Sequence, residues 1–248
     1  MPKKKQKSYS ARSDNNKKSL EDCLEVIANS EFWTAFLNTL KELLKNLNLS
    51  SILCYGLGNF MDSIQSRYQL SLLLLIKKEF NVKNCLIYDP KFTNDEQVYL
   101  SENGCKLIEH NEEGKRQLLP GTFIYMPHCP KQLLNNLLWR NWDKHLLMKS
   151  MILCNSIDQT VTSNPNRILD KYAHYLMKIA PYTKEVLINE NFIYNDIFND
   201  MSLHYFPSER LEELNNTFWE TDIEPIYNNE EIEFITKFEC LSFQKQQV

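Results

Sequence analysis

The chain has 248 residues, 43% hydrophobic and 24% charged, with a formal net charge of −4. That is enough to bury a sizeable core at ordinary globular composition, and no apolar run reaches the ~18 residues that span a bilayer. Seven scattered cysteines, an odd number and several inside apolar runs, read as reduced thiols of an intracellular protein rather than a disulfide framework. In chain order, residues 1–18 come first, with seven Lys/Arg against a single acid, Asp14. This basic tail reads as a solvated, disordered leader, a nuclear-import signal or a weak polyanion contact. The body beyond it is acidic and would repel phosphates, which argues against a nucleic-acid-binding core. The start also lacks the apolar stretch of a secretory signal, so the expected address is cytoplasmic, with the nucleus second.

Residues 19–48 form a helical segment, with Ser19 and Ser30 as helix caps and Trp33, Leu37, Leu40, Leu44 and Leu47 at helical spacing. Strands are expected over 52–55, 85–88, 106–109, 122–126 and 150–154. Helices are expected over 63–80, 94–102, 131–142 and 166–179, the last stopped by Pro181. Weaker strand patterns lie at 186–188 and 202–206. Near-continuous apolar strands alternating with helices predict a Rossmann-like, three-layer α/β domain over 49–210, with a mainly parallel sheet and one or two preceding helices. Residues 211–248 read as an acidic extension. Right-handed crossovers collect the strand ends on one edge, where such folds bind ligands.

Four polar groups meet at that edge: Gly56, Gly58 and Asn59; Asp89; His128 with Cys129; Asn155 with Ser156. Two glycines between a strand and a helix suit a turn that lets a ligand approach, or simply tight strand–helix packing. The third glycine of a dinucleotide fingerprint is replaced by Met61, and Asp62 would repel a pyrophosphate, so NAD is disfavoured. S-adenosylmethionine needs a glycine turn and an acidic end to strand two, and it brings no pyrophosphate. Asp89 is thus either a ribose-binding acid or the cap of its own turn. His128 is a candidate acid–base group and Cys129 a candidate nucleophile, or the two are a packed pair. No metal-ligand spacing appears, and haem on His128 or Cys129 rests on one dipeptide. Asn135, Asn136, Trp139 and Trp142 line a groove or belong to the core, and residues 112–116 read as a solvated turn.

These segments together resemble the Sensitivity-to-Red-light-Reduced family. The likeness rests on Cys54-Tyr55-Gly56-Leu57-Gly58-Asn59-Phe60, Ser66-Arg67-Tyr68-Gln69-Leu70, Tyr88-Asp89-Pro90 and Asn111-Glu112-Glu113-Gly114-Lys115-Arg116. It continues through Tyr125-Met126-Pro127-His128-Cys129, Asn135-Asn136-Leu137-Leu138-Trp139, Asn155-Ser156 and Phe198-Asn199-Asp200 with His204. The resemblance implies a regulator of circadian clock input and clock-gene expression, linked in animals to haem biosynthesis. It brings no reaction with it. Its partner is then a small ligand or another protein at the sheet edge. The competing reading is a class I S-adenosylmethionine-dependent methyltransferase.

Overall fold

The computed structural model describes residues 18–45, 47–188, 191–220 and 223–227; most of the basic tail and of the acidic extension lies outside them. Helix α1 (Leu20–Ala28) starts at a reciprocal capping box, Asp22 N–H on Ser19 Oγ and Ser19 N–H on Asp22 Oδ2. Helix α2 (Glu31–Leu43) is capped by Ser30. The remaining order is β1 (Ser51–Tyr55), α3 (Ile64–Glu79), β2 (Asn84–Tyr88), α4 (Asn94–Glu102), β3 (Lys106–Leu107), β4 (Thr122–Met126), α5 (Lys131–Arg140) and α6 (Lys144–Leu147). Then follow β5 (Ser150–Asn155), α7 (Ile157–Thr162), α8 (Asn166–Tyr172), α9 (His174–Ile179), β6 (Lys184–Leu187), β7 (Met201–Tyr205) and α10 (Ser208–Leu211).

The strands form one sheet in the order β3-β2-β1-β4-β5-β7-β6. Pairs from β3 through β5 are parallel, while β7 runs antiparallel to both β5 and β6. The two-residue period of a strand divides its side chains between two cores. Ile52, Cys54, Phe123, Tyr125, Met151 and Leu153 face α1, α2 and α3. Leu53, Tyr55, Ile124, Met126, Ile152 and Cys154 face α5, α8 and α9. This is the three-layer α/β arrangement expected from the sequence. Among the described residues no helix is long and apolar enough to cross a membrane.

Helix α3 lies deep against the sheet as its leucine block implies, with Tyr68, Leu70, Leu72 and Leu73 fully buried. The N-terminal helices are joined to the sheet domain by aromatic packing: Phe32 of α2 stacks on Phe198 at 4.9 Å and meets Phe192 at 5.3 Å.

The helix expected over 166–179 is broken. Ala173 leaves the helical region at φ −152°, ψ 37°, separating α8 from α9. The cause lies outside the segment: Asn135 Oδ1 accepts the Tyr175 and Leu176 N–H groups at 2.8 and 3.3 Å, capping α9 from α5. Pro181 sits two residues beyond the end of α9, in a 3-10 turn (Ala180–Tyr182).

Candidate functional site

The carboxyl ends of β1, β2 and β4 enclose a cleft of about 340 Å³, lined among others by Gly56, Gly58, Gln65, Asp89, Asn111, His128 and Cys129. The glycine turn forms its floor. Gly56 and Gly58 stand at φ +75° and +70°, the left-handed region that side chains avoid. A Cβ on Gly56 would fall 2.3 Å from Cys129 Sγ, so that position is reserved for the thiol.

The N–H groups of the turn are held by protein carboxylates. Asp89 Oδ2 accepts Gly58 N–H at 2.7 Å, and Asp89 Oδ1 accepts Lys91 N–H at 2.8 Å. Glu96, fully buried in α4, accepts Met61 N–H at 2.9 Å while closing a capping box with Thr93. Burial raises the Asp89 carboxyl above its ordinary value, against the pull of the two backbone donors. Arg67 fastens the same loop from its carbonyl side, donating to Phe60 O and Met61 O at 2.9 Å and to Lys18 O. The sequence gives no sign of this clamp except an arginine one turn into a helix whose next residues, Tyr68 to Leu73, are buried.

His128 carries a positive φ of 50° and places Nε2 3.2 Å from Ile197 O. A carbonyl only accepts, so Nε2 bears the proton and Nδ1 is the acceptor in the neutral ring. Cys129 donates its thiol to Tyr55 O at 3.4 Å. Burial pushes that thiol well above the ordinary range, so it stays protonated at neutral pH.

The other predicted site residues stand elsewhere. Asn59 bonds Asp62 through both its backbone N–H and its carboxylate, outside the cleft lining. Asn155 lines a second, smaller cavity of about 190 Å³ at the end of β5, with Cys129 and Pro130 forming the wall shared by the two. Its buried Oδ1 has no hydrogen-bond partner among the described residues. Ser156 caps α7, accepting Gln159 N–H at 3.0 Å. The structure therefore brings Gly56, Gly58, Asp89, His128 and Cys129 together and leaves Asn59, Asn155 and Ser156 out of that cleft.

Two further arrangements bear on the sequence reading, one against it and one settling an open choice. Residues 112–116 are no solvated turn: Arg116 clasps Glu112 at 2.6 and 2.7 Å, and Tyr55 OH donates to the same carboxylate at 3.3 Å. The i,i+4 Glu–Arg spacing was the available signal. The amides of α5 bridge loops instead of facing a groove. Trp142 packs on Tyr175 and Phe218 and donates Nε1–H to Phe218 O.

Beside Ser156, fully buried His204 stands 3.2 Å from Glu185 Oε2, which also accepts Asp158 N–H at 3.0 Å. Burial pushes the Glu185 carboxyl up, but hydrogen bonds from His204, Ser156 and Asp158 N–H outweigh it and hold the group at about 2. A depressed carboxyl stabilises the fold above its unfolded pKa, here near 4.5, and that contribution is lost as pH falls through about 2. Unfolding free energies from urea melts are expected to fall across this window, by on the order of 2 kcal/mol once the partial exposure of Glu185 is discounted. Glu185→Gln should flatten that limb; an unchanged acid slope would assign it to other carboxylates.

A doubly covered, mainly parallel sheet with a glycine turn after β1 and an acid at the end of β2 defines a Rossmann-like protein. The chain belongs to the SRR1 domain family, whose model matches residues 36–205. It is 27% identical over 223 residues to the SRR1-like protein of Drosophila melanogaster, covering 89% of this chain and 78% of the relative. It is 31% identical over 207 residues to the Arabidopsis thaliana protein SENSITIVITY TO RED LIGHT REDUCED 1, covering 77% and 74%. With the mouse SRR1-like protein identity is 38% over 130 residues, about half of each chain (51% and 52%). Among solved structures, SAH-bound Podospora anserina methyltransferase PaMTH1 aligns at TM-score 0.41 and 12% identity, over 84% of this chain and 98% of its own. The 23S rRNA methyltransferase ErmE aligns at 0.39 and 8%, over 81% and 72%. At those scores neither bears on ligand or reaction.

Proposed function

We propose that this chain is a regulator whose state is set by a phosphate-free nucleoside ligand in the glycine-turn cleft, with S-adenosylmethionine or S-adenosylhomocysteine as the first candidates. The observation that carries this reading is the pairing of Asp89 with the turn. Each Asp89 oxygen accepts one backbone N–H and keeps lone-pair capacity for a ribose hydroxyl. Asp89 and Glu96 already occupy turn donors that a pyrophosphate would need, which sets NAD aside. The cleft volume falls within the ~300–1,000 Å³ of small-molecule sites. Haem finds weaker support, since His128 Nε2 is bonded to Ile197 and Cys129 is held as a neutral thiol.

The regulated process we assign by family is the one in the Arabidopsis relative's name, sensitivity to red light, and with it clock input, clock-gene expression and haem supply. Cells lacking the chain should then show an altered clock-reporter rhythm or haem level; normal values for both would remove the assignment.

Melting the protein with S-adenosylmethionine, S-adenosylhomocysteine, NAD and haem tests the ligand. A ligand at ~100 times its dissociation constant adds about 2.7 kcal/mol, a clear rise in Tm. The expected result is a rise with one of the first two, retained in Asn59→Ala and lost in Asp89→Ala, each read against its own unliganded Tm. No rise with any of the four overturns the ligand reading. Catalytic methyl transfer is a second reading, favoured by the reversed β7 between β5 and β6, an order shared with class I methyltransferases. Turnover of S-adenosylmethionine by the protein with cell extract, sensitive to His128→Ala, would distinguish it from binding alone.

A further inference from the structure

Two cysteines outside the cleft stand side by side. Cys85 lies in β2 and Cys105 immediately before β3, and the parallel register Leu86↔Lys106 makes them neighbours one step earlier. Adjacent strands lie about 4.8 Å apart, within the Cα separation a disulfide accepts. Leu86 and Lys106 alternate to one face, so both cysteine side chains point to the other, near enough for each thiol to shift the other's proton affinity.

The surroundings distinguish the partners. Lys77 donates Nζ–H to Asn103 O at 3.0 Å and lies 3.1 Å from where a Cβ on Gly104 would stand, beside Cys105. The Cys85 side chain lowers the Cys105 thiol against burial, and Lys77 assists. The same pairing, with burial, raises Cys85. Burial raises Cys23, Cys54, Cys129 and Cys154 as well. Cys105 also sits on the sheet's edge, at a strand of only two residues, where opening costs least.

We propose that Cys105 and Cys85 are an oxidative modification site that closes to a reversible disulfide on exposure to hydrogen peroxide. The Cys105 thiolate attacks a peroxide oxygen and the O–O bond breaks. Cys105 becomes a sulfenic acid, and the departing hydroxide takes up the thiol's proton as water. The Cys85 sulfur then attacks the Cys105 sulfur; the S–O bond breaks, and hydroxide leaves as a second water with the Cys85 proton. Two thiols are oxidised by two electrons and one peroxide is reduced to two waters. The bridge fastens β3 to β2. Those strands lead into Asn111 and Gly114 on one side and Tyr88 and Asp89 on the other, which together form one wall of the cleft.

The test uses the full native chain, treated with hydrogen peroxide, alkylated, and mapped without reduction. The expected result is a Cys85–Cys105 linked peptide that disappears with dithiothreitol. In Cys85→Ser, lacking the resolving thiol, Cys105 should accumulate as a dimedone-reactive sulfenic acid. Over-oxidised Cys105 without a bridge, a bridge between any other pair, or six reduced thiols at 23, 54, 85, 105, 129 and 154 after treatment would each overturn the proposal. The wild-type map decides alone if the serine variant does not fold.

Discussion

Exchanging Gly56 for alanine is expected to lower stability by about 3 kcal/mol, a large fraction of the margin by which a domain of this size stays folded. Two costs add. A side chain at φ +75° costs about 1–2 kcal/mol, and a Cβ 2.3 Å from Cys129 Sγ forces the thiol off a site it shares with Tyr55 O. The two costs separate in a double-mutant cycle by urea unfolding. Cys129→Ala added to Gly56→Ala should recover the steric part and leave about 1–2 kcal/mol from the backbone. A double mutant as unstable as the single would mean that the thiol is not the obstacle. The outcome also bears on the cleft, because Gly56 is then conformationally required whether or not a ligand approaches it.

Asn141→Leu should cost a similar amount, about 3 kcal/mol, from lost hydrogen bonds rather than strain. The Asn141 side chain is buried and makes four bonds. Its Oδ1 accepts Leu118 N–H at 2.7 Å and Gln117 Nε2 at 3.1 Å, and its Nδ2 donates to Arg116 O and Leu137 O at 2.8 Å. Leucine is close in size but leaves the buried Leu118 N–H and Arg116 carbonyl without partners. Hydrogen exchange at the Leu118 amide should accelerate more than at amides of β1. Equal acceleration across the molecule would show only global destabilisation. This side chain ties the connector between β3 and β4 to α5, so the cleft wall at Asn111 and Gly114 should loosen with it.

The strands were the most legible part of the chain. Residues 122–126 were expected as a strand and form β4, because an unbroken apolar run flanked by Gly121 and Pro127 leaves few alternatives. The capping residues Ser19 and Ser30 placed the starts of α1 and α2 for the same local reason. Where a distant side chain intervenes, local pattern fails. Nothing within 166–179 announces the break at Ala173, since Asn135 makes it. Helices α6 and α7 are too short to show periodicity, with four and six residues. The site follows the same division. Strand order alone places Asp89 and Gly58 on one edge, but which strand-end residues face which hollow depends on the Cys129 wall. Asn155 therefore reads from sequence as a neighbour of Asp89 and stands in a separate cavity. The Arg67 clamp escapes for want of any pattern linking it to its partners, and the Glu112–Arg116 spacing reads as a pair only once the segment's fold is known.

The position of β7 bears on how the chain is made. Strand β6 precedes β7 in the chain yet meets the sheet only through it, and the outer edge of β5 is closed only by residues 201–205. As the polypeptide leaves the ribosome, Met151, Ile152, Leu153 and Cys154 wait beside an open row of backbone donors and acceptors until those residues emerge. A product terminated between residues 155 and 201 thus keeps that edge open. It is an apolar sheet with a sticky edge, suited to aggregation or to capture by a chaperone.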